Sequence, residues 1–249
     1  MDWSDDGIVV STRLFGDSGR IVKLLTRGHG LHAGLVRGRR ASQQLQPGTH
    51  VAATWRARLA DHLGAYVLEA TTHVAGGVMD RPLRLSALAS ACSVVESSLP
   101  ERAPYPTVFD GLAALLALLD GEAWDAAYVQ WEVGLLGALG FGLDLSRCAV
   151  TGAAGRPNDR LAYVSPRSGR AVLLSASEPY RDRLLPLPGF LVGEGEAGGR
   201  DVLDGLALTG HFLDRLVFAQ ADRACPPARQ RYVEAYRRAV ASSGSLPAS

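Results

Sequence analysis

Between Ile8 and Val74 the chain runs as short, apolar, period-two segments cut by turn signals, and few architectures accept that pattern. Ile8 to Phe15 is the first run. Gly16-Asp17-Ser18-Gly19 is a hairpin turn into Arg20 to Arg27, and Gly28-His29-Gly30 turns the chain into Leu31 to Arg37. Gly38 to Gly48 is a longer polar and basic loop. Thr49 to Leu59 and Leu63 to Val74 follow as a fourth and a fifth strand, joined at Asp61-His62. Short strands linked by tight hairpins and one longer crossover predict a small Greek-key barrel of the OB type, with an SH3-like barrel as the nearest alternative.

Side chains alternate across a strand, so the pattern also assigns faces. In the fourth strand Val51, Ala53, Trp55, Ala57 and Leu59 share one face, and Ala52, Thr54, Arg56 and Arg58 share the other. In the second, Val22 and Leu24 lie together, with Lys23 and Arg27 opposite. Trp55 therefore reads as core. Phe15, on the same side as Arg13, is the better candidate for stacking on a base.

Charge is concentrated in this region. Gly7 to Leu59 holds nine basic residues, Arg13, Arg20, Lys23, Arg27, Arg37, Arg39, Arg40, Arg56 and Arg58, against the single acid Asp17, a formal charge of +8. The whole chain carries 26 basic and 25 acidic residues, so the remainder, with 17 and 24, sums to −7. Clustered cations condense onto phosphates and release counterions, so a polyanion is the expected partner. Arg37-Gly38-Arg39-Arg40 leaves a strand into a loop where guanidinium groups can grip successive phosphates. Arg56 and Arg58 add a row along one strand face.

Beyond Met79 the composition turns helical. Leu83 to Leu99 has Leu85, Leu88, Cys92 and Val95 at helical spacing, with Asp80 as the expected cap and Pro82 in the first turn. Val108 to Leu119 and Trp124 to Leu139 are two more helices, the latter stopped at Gly140-Phe141-Gly142. Leu161 to Ser165 and Arg170 to Leu174 flank a turn and predict a short hairpin. Glu178 to Leu185 is a short helix stopped by Pro186, and Gly189 to Gly199 is a mobile Gly/Glu-rich stretch. Asp201 to Asp222 and Ala228 to Val240 are the last helices, before a low-complexity disordered tail.

Other chemistries find little footing. Gly16-Asp17-Ser18-Gly19 spells a protease-like nucleophile segment around Ser18, but no His precedes it as that order requires, and Asp-Ser-Gly is ordinary turn chemistry. Gly28, Gly30 and Gly34 have the wrong spacing for a dinucleotide fingerprint, and there is no P-loop. The six histidines form no metal-ligand pattern. Three widely spaced cysteines, Cys92, Cys148 and Cys225, suit reduced thiols in the cytoplasm. The start MDWSDDG is wrong for a signal peptide, and no apolar run reaches the roughly 20 residues of a membrane span.

The order of these features resembles the RecO family of bacterial recombination mediators and DNA-repair proteins. The residues carrying the resemblance are GIVVSTRLFGDSGRIVKLLTRGHGLHAGLVRGRR, LQPGTHV, WEVGLLGALGFGLDLSRCAVTG, RLAYVSPRSGRAVL and FLDRLVFAQADRACPPARQRYVEA. The third is the most specific, because its Leu-Gly, Leu and Cys-to-Gly spacings recur together. The resemblance implies an α+β fold, in which an N-terminal OB-type five-stranded β-barrel is followed by a mostly helical domain with a small β-hairpin insert. Expected bounds are 1–78 for the barrel, 79–241 for the helical domain with its zinc-ribbon-like insert about 144–176, and 242–249 for the tail.

The resemblance further implies a protein without turnover of its own, located with the nucleoid in the cytoplasm. Such proteins bind single- and double-stranded DNA, anneal complementary strands, contact the acidic C-terminal tail of single-stranded-DNA-binding protein (SSB), and with RecR help load RecA at gaps. The DNA contacts would be Arg37, Arg39, Arg40, Arg56 and Arg58, then Arg20, Lys23, Arg27 and Arg13. An apolar groove from Leu112, Leu115, Leu116, Leu135 and Leu139 would take the SSB tail. The alternative is a docking scaffold for RecR and SSB with incidental DNA affinity. Zinc-bearing members have a CxxC-type set where this chain has only Cys148, with Thr151 at the second position, so no zinc or other cofactor is expected.

Overall fold

Strand β1 runs from Asp2 to Phe15 in the computed structural model, which describes residues 1–17, 19–38, 45–59 and 62–243. It starts well before the predicted Ile8. The acidic opening is strand because a partner is waiting for it: β4 (Thr49–Arg56) pairs Asp2 with Arg56, Trp3 with Trp55 and Asp6 with Ala52. Asp2, Ser4 and Asp6 stay exposed while Trp3 turns toward the interior.

β2 (Gly19–Thr26), β3 (Gly30–Arg37) and β5 (Ala65–His73) complete the sheet, which closes as a barrel in the order β1-β2-β3-β5-β4. That is the predicted α+β fold with its five-stranded barrel. The turn reading of Gly16-Asp17-Ser18-Gly19 fits: Gly16 has φ 62°, and Phe15 pairs with Gly19. Ser18 itself lies outside the described residues, as does Asp61 of the expected fourth-to-fifth-strand turn.

The barrel core is Val9, Val22, Leu24, Val36, Leu45, Val51, Ala53, Trp55 and Tyr66. The predicted faces hold as far as β4 runs: Trp55 is inside, its indole N–H donating to the Leu63 carbonyl at 3.0 Å, and Arg56 is outside, but Leu59, expected on the inner face, lies past the strand and is exposed. Gly34 is where Tyr66 fits, since a Cβ there would sit 2.4 Å from the phenol ring. β1 is buried on both faces at Ile8, Val9 and Val10. Helix α1 (Pro82–Ser98) packs on it from outside, with Cys92 Sγ 3.9 Å from the Val9 carbonyl. Burial pushes that thiol's pKa up to about 12, which keeps it an inert packing group.

Asp80 is not the cap of α1. The helix opens one residue later, at Arg81 with Pro82 in its first position, and Arg81 extends its side chain to Asp120 instead. Pro106 opens α2 (Pro106–Leu118) in the same way.

Two compact units emerge: Met1–Gly121 with Pro226–Tyr232, and Glu122–Cys225 with Val233–Ser249. Within the second, α3 (Trp124–Ala138) packs on α4 (Gly199–Phe212). Glu132 of α3 is fully buried and accepts the Thr209 hydroxyl of α4 at 2.5 Å. The expected hairpin is β6 (Leu161–Val164) and β7 (Ala171–Leu173), and β8 (Leu185–Pro186) joins it in the order β7-β6-β8. The predicted helix Glu178 to Leu185 is a 3-10 segment, Glu178–Arg183, because the chain must extend at Leu185 to reach Val164. Pro186 is tolerated there because an edge strand leaves its nitrogen unpaired.

α4 ends at Phe212 and passes into a π-helical turn, Leu213–Phe218, where one longer helix was expected. The last helix, α5 (Pro227–Ser243), includes Ser242 and Ser243 of the expected tail, and residues 244–249 lie outside the described residues. Cys148 is buried and accepts the Leu173 N–H at 3.4 Å. Burial works to raise that thiol, and N–H and hydroxyl donors from Leu173, Thr151 and Val150 outweigh it, so its pKa falls below the ordinary 9.0. No helix among the described residues is long and apolar enough to cross a membrane.

Candidate nucleic-acid interface

Register collects arginines that sequence keeps apart. Arg13 on β1 lies opposite Ile21, Ile21 opposite Leu35, Leu35 opposite Ala65 on β5, and Ala65 opposite Arg56 on β4. With strands about 4.8 Å apart, this row forms an arginine rim that spirals across the barrel, Arg13 and Arg56 lying four strand spacings, roughly 19 Å, apart, since Arg56 meets β1 again at Asp2 and not at Arg13. Arg37, two residues past Leu35 on β3, lies opposite Gly19 at the β1–β2 turn. β4 ends at Arg56, so Arg58 lies two residues beyond the strand instead of in a row on its face as expected. All four arginines are exposed, and none has an ion pair among the described residues. Asp2 faces Arg56 across the ladder without closing on it. Leu14 and Phe15 stand exposed at the neighbouring turn, Phe15 at 53%.

The other basic side chains have partners inside the chain. Lys23 Nζ is 3.3 Å from Glu96 and 3.1 Å from Glu101, at the end of α1 and just beyond it. Arg27 pairs with Asp110 of α2, and its guanidinium lies 5.3 Å above the Phe109 ring. Arg20 is half-buried and donates to the Thr12 hydroxyl at 3.3 Å. Arg39 and Arg40 lie outside the described residues. Of the leucines assigned to a peptide groove, Leu112, Leu115, Leu116 and Leu135 are buried, and Leu139 is half-buried. Among the described residues no three metal-ligating side chains gather.

Sequence reasoning missed an aromatic column at the barrel mouth. Trp3 stacks on His29 with ring centres 4.1 Å apart and planes 7° apart, and on Trp55 at 5.8 Å and 18°. His29 is held from behind: Asp5 Oδ2 lies 3.0 Å from its Nδ1 and accepts the Gly28 N–H at 2.7 Å. Burial works to raise the Asp5 carboxyl, but the His29 ring and the N–H groups of Gly28 and Asp6 outweigh it and lower its pKa below the ordinary 3.8. The available signal was the alternation of Trp3 with Ser4 and Asp2 in a segment weighed only as a signal peptide and set aside.

Two barrel histidines make stability pH-dependent. Burial lowers the pKa values of His32 and His50 below the ordinary 6.5, against the opposing pull of the Ala33 carbonyl on His32 and of Asp6 on His50. Both rings are then neutral in the fold. As pH falls below 6.5 the unfolded chain takes up protons that the folded chain refuses, and stability drops. Asp5, lowered rather than raised, adds a loss only below pH 3.8. Thermal unfolding is expected to be flat at neutral to mildly alkaline pH and to shift downward on acidification toward pH ~5.5, less so in His50→Gln. An unchanged melting temperature over that range would contradict the assignment.

A closed five-stranded barrel in this strand order, followed in the chain by helices and a small three-stranded sheet, defines an α+β protein with an OB-type barrel. Two family models match, Recombination protein O N terminal over residues 1–72 and Recombination protein O C terminal over residues 79–222. The chain belongs to the RecO family. It is 53% identical to the DNA repair protein RecO of Rhodospirillum centenum, over the whole of both chains. It is 52% identical to that of Rhodospirillum rubrum, over 96% of this chain and 97% of the relative. It is 47% identical to that of Phenylobacterium zucineum, over 92% and 95%.

Proposed function

We propose that this RecO-family DNA repair protein binds single- and double-stranded DNA along the arginine rim and anneals complementary strands. In this reading the barrel, residues 1–78, carries the DNA. The helical region, 79–241, docks RecR and the SSB tail, so that RecA is loaded at SSB-coated gaps in the nucleoid. The chemistry is electrostatic and needs no turnover: guanidinium groups screen the repulsion between two strands, and pairing nucleates where they meet. The observation that carries the reading is the set of four exposed arginines without an ion pair among the described residues, on or beside the barrel strands.

Titrating a fluorescent oligonucleotide across salt tests it. Four phosphate contacts predict a slope of log K against log salt of roughly −2.8 for single strands, at about −0.7 per contact. Annealing of SSB-coated complementary strands should weaken over the same salt range. A slope near zero, or annealing indifferent to salt, would sink the proposal.

A further inference from the structure

The mouth of the barrel beside the rim holds an open cavity of about 500 Å³, lined in part by Asp2, Trp3, His29, His32, Trp55 and Arg102. That volume falls within the roughly 300–1,000 Å³ of small-ligand sites. We propose that it is a base pocket: one nucleobase of a bound single strand lies against the His29–Trp3 stack while its phosphates sit on Arg56 and Arg58. The inference rests on the DNA-binding reading and adds to it a contact that phosphates alone do not supply.

Three features point to a neutral heteroaromatic ring. The first is a prepared platform. His29 is the outermost ring of the column, its side chain 38% exposed, and Asp5 fixes its plane. A ring held in place before binding loses little entropy when a base stacks on it.

The second is the mix of charge. Arg102, whose guanidinium donates to the His62 carbonyl at 3.2 Å, brings a cation and Asp2 an acceptor, both exposed at the cavity. A base edge carries acceptors and donors together, whereas a bare phosphate or an acidic peptide would meet Asp2.

The third is strain. Arg102 has φ 62°, a left-handed conformation that costs a non-glycine residue energy. Its N–H donates to the Leu31 carbonyl at 2.8 Å, and Glu101 bridges to the same residue. The start of β3 therefore holds this strained arginine at the cavity.

Continuity with the rim comes from the ladder. Asp2 pairs with Arg56 and Trp3 with Trp55, and the Met1 amine donates to the Ala57 carbonyl at 2.8 Å. The cavity thus opens one residue from Arg56 and three from Arg58, the arginines proposed to hold phosphate.

The test compares oligo(dT) with an abasic oligomer of the same length and phosphate count, using fluorescence anisotropy. The full-length protein is expected to bind oligo(dT) roughly tenfold more tightly, with the same salt slope for both. His29→Gln, which keeps a side-chain donor for Asp5 but removes the ring, is expected to abolish the preference and leave abasic affinity unchanged. Arg102→Asn, which tolerates the left-handed backbone, should reduce it. Photocrosslinking of bromodeoxyuridine DNA to the unaltered protein, independent of any variant's folding, should label peptides holding Trp3 or His29. Equal affinity for the two oligomers, or crosslinks confined to other peptides, would overturn the pocket and leave the rim standing. If neither oligomer binds, the DNA-binding reading falls and the pocket with it.

Discussion

Replacing Arg13, Arg37, Arg56 and Arg58 together by Ala is expected to lower affinity for single-stranded DNA about a thousandfold at roughly 50 mM salt. Each phosphate contact releases about 0.7 counterion, worth about 1 kcal/mol at that salt, so four contacts give about 4 kcal/mol. The salt slope should fall by roughly 2.8 in the same variant. Folding should be spared, because all four side chains are exposed and none has an ion pair among the described residues. The contrast is Lys23→Gln with Arg27→Gln. Those cations already face Glu96, Glu101 and Asp110, so their loss should change DNA affinity by less than about threefold. Arg39 and Arg40 belong in a companion variant, Arg37/Arg39/Arg40→Ala. A quadruple variant with unaltered affinity and slope, or one outdone by the Lys23/Arg27 pair, would remove the rim from the mechanism.

Gly30→Ala is expected to destabilise the barrel unit by more than about 3 kcal/mol, lowering its melting temperature by at least ~10 °C. Gly30 has φ 68°, and an added Cβ would stand 1.9 Å from the Ala103 carbonyl oxygen. That oxygen cannot simply withdraw, because the adjoining backbone is tied to β3 by the Arg102 N–H to Leu31 bond. Gly16→Ala separates the two causes. Gly16 has nearly the same φ, 62°, with nothing within 4 Å of an added Cβ. It should cost only the backbone term, about 1 kcal/mol. The difference between the two variants, measured by denaturant unfolding, isolates the close approach of the 101–103 segment to the barrel. Equal destabilisation would mean that approach contributes nothing. Gly30→Ala should also loosen Arg102 and cost the base pocket its donor.

The sequence by itself determined what depends on neighbours along the chain. Period-two alternation put Trp55, Val22 and Leu24 inside and Arg56 and Lys23 toward the other face, because a strand has no other way to arrange its side chains. Gly16 to Gly19 and Gly28 to Gly30 turned where glycine and short polar residues allow it. Pro82 opened a helix for the same local reason. Even the site's chemistry, a surplus of arginine in a β-rich segment, was legible before any fold existed.

Only the tertiary structure decided which of those cations meet acidic partners. Lys23 and Arg27 are neutralised by acids some seventy or more positions downstream, on helices whose docking no local pattern specifies. Arg13 and Arg56 come to lie on one register row only because the strands pair through Ile21, Leu35 and Ala65. Asp2 to Gly7 is strand because β4 supplies its hydrogen-bond partners, against the segment's own polarity. That same pairing lays Trp3 between Trp55 and His29. Propensity is a property of a segment, whereas charge pairing, register and stacking belong to pairs of segments, and a pair exists only after the chain has closed.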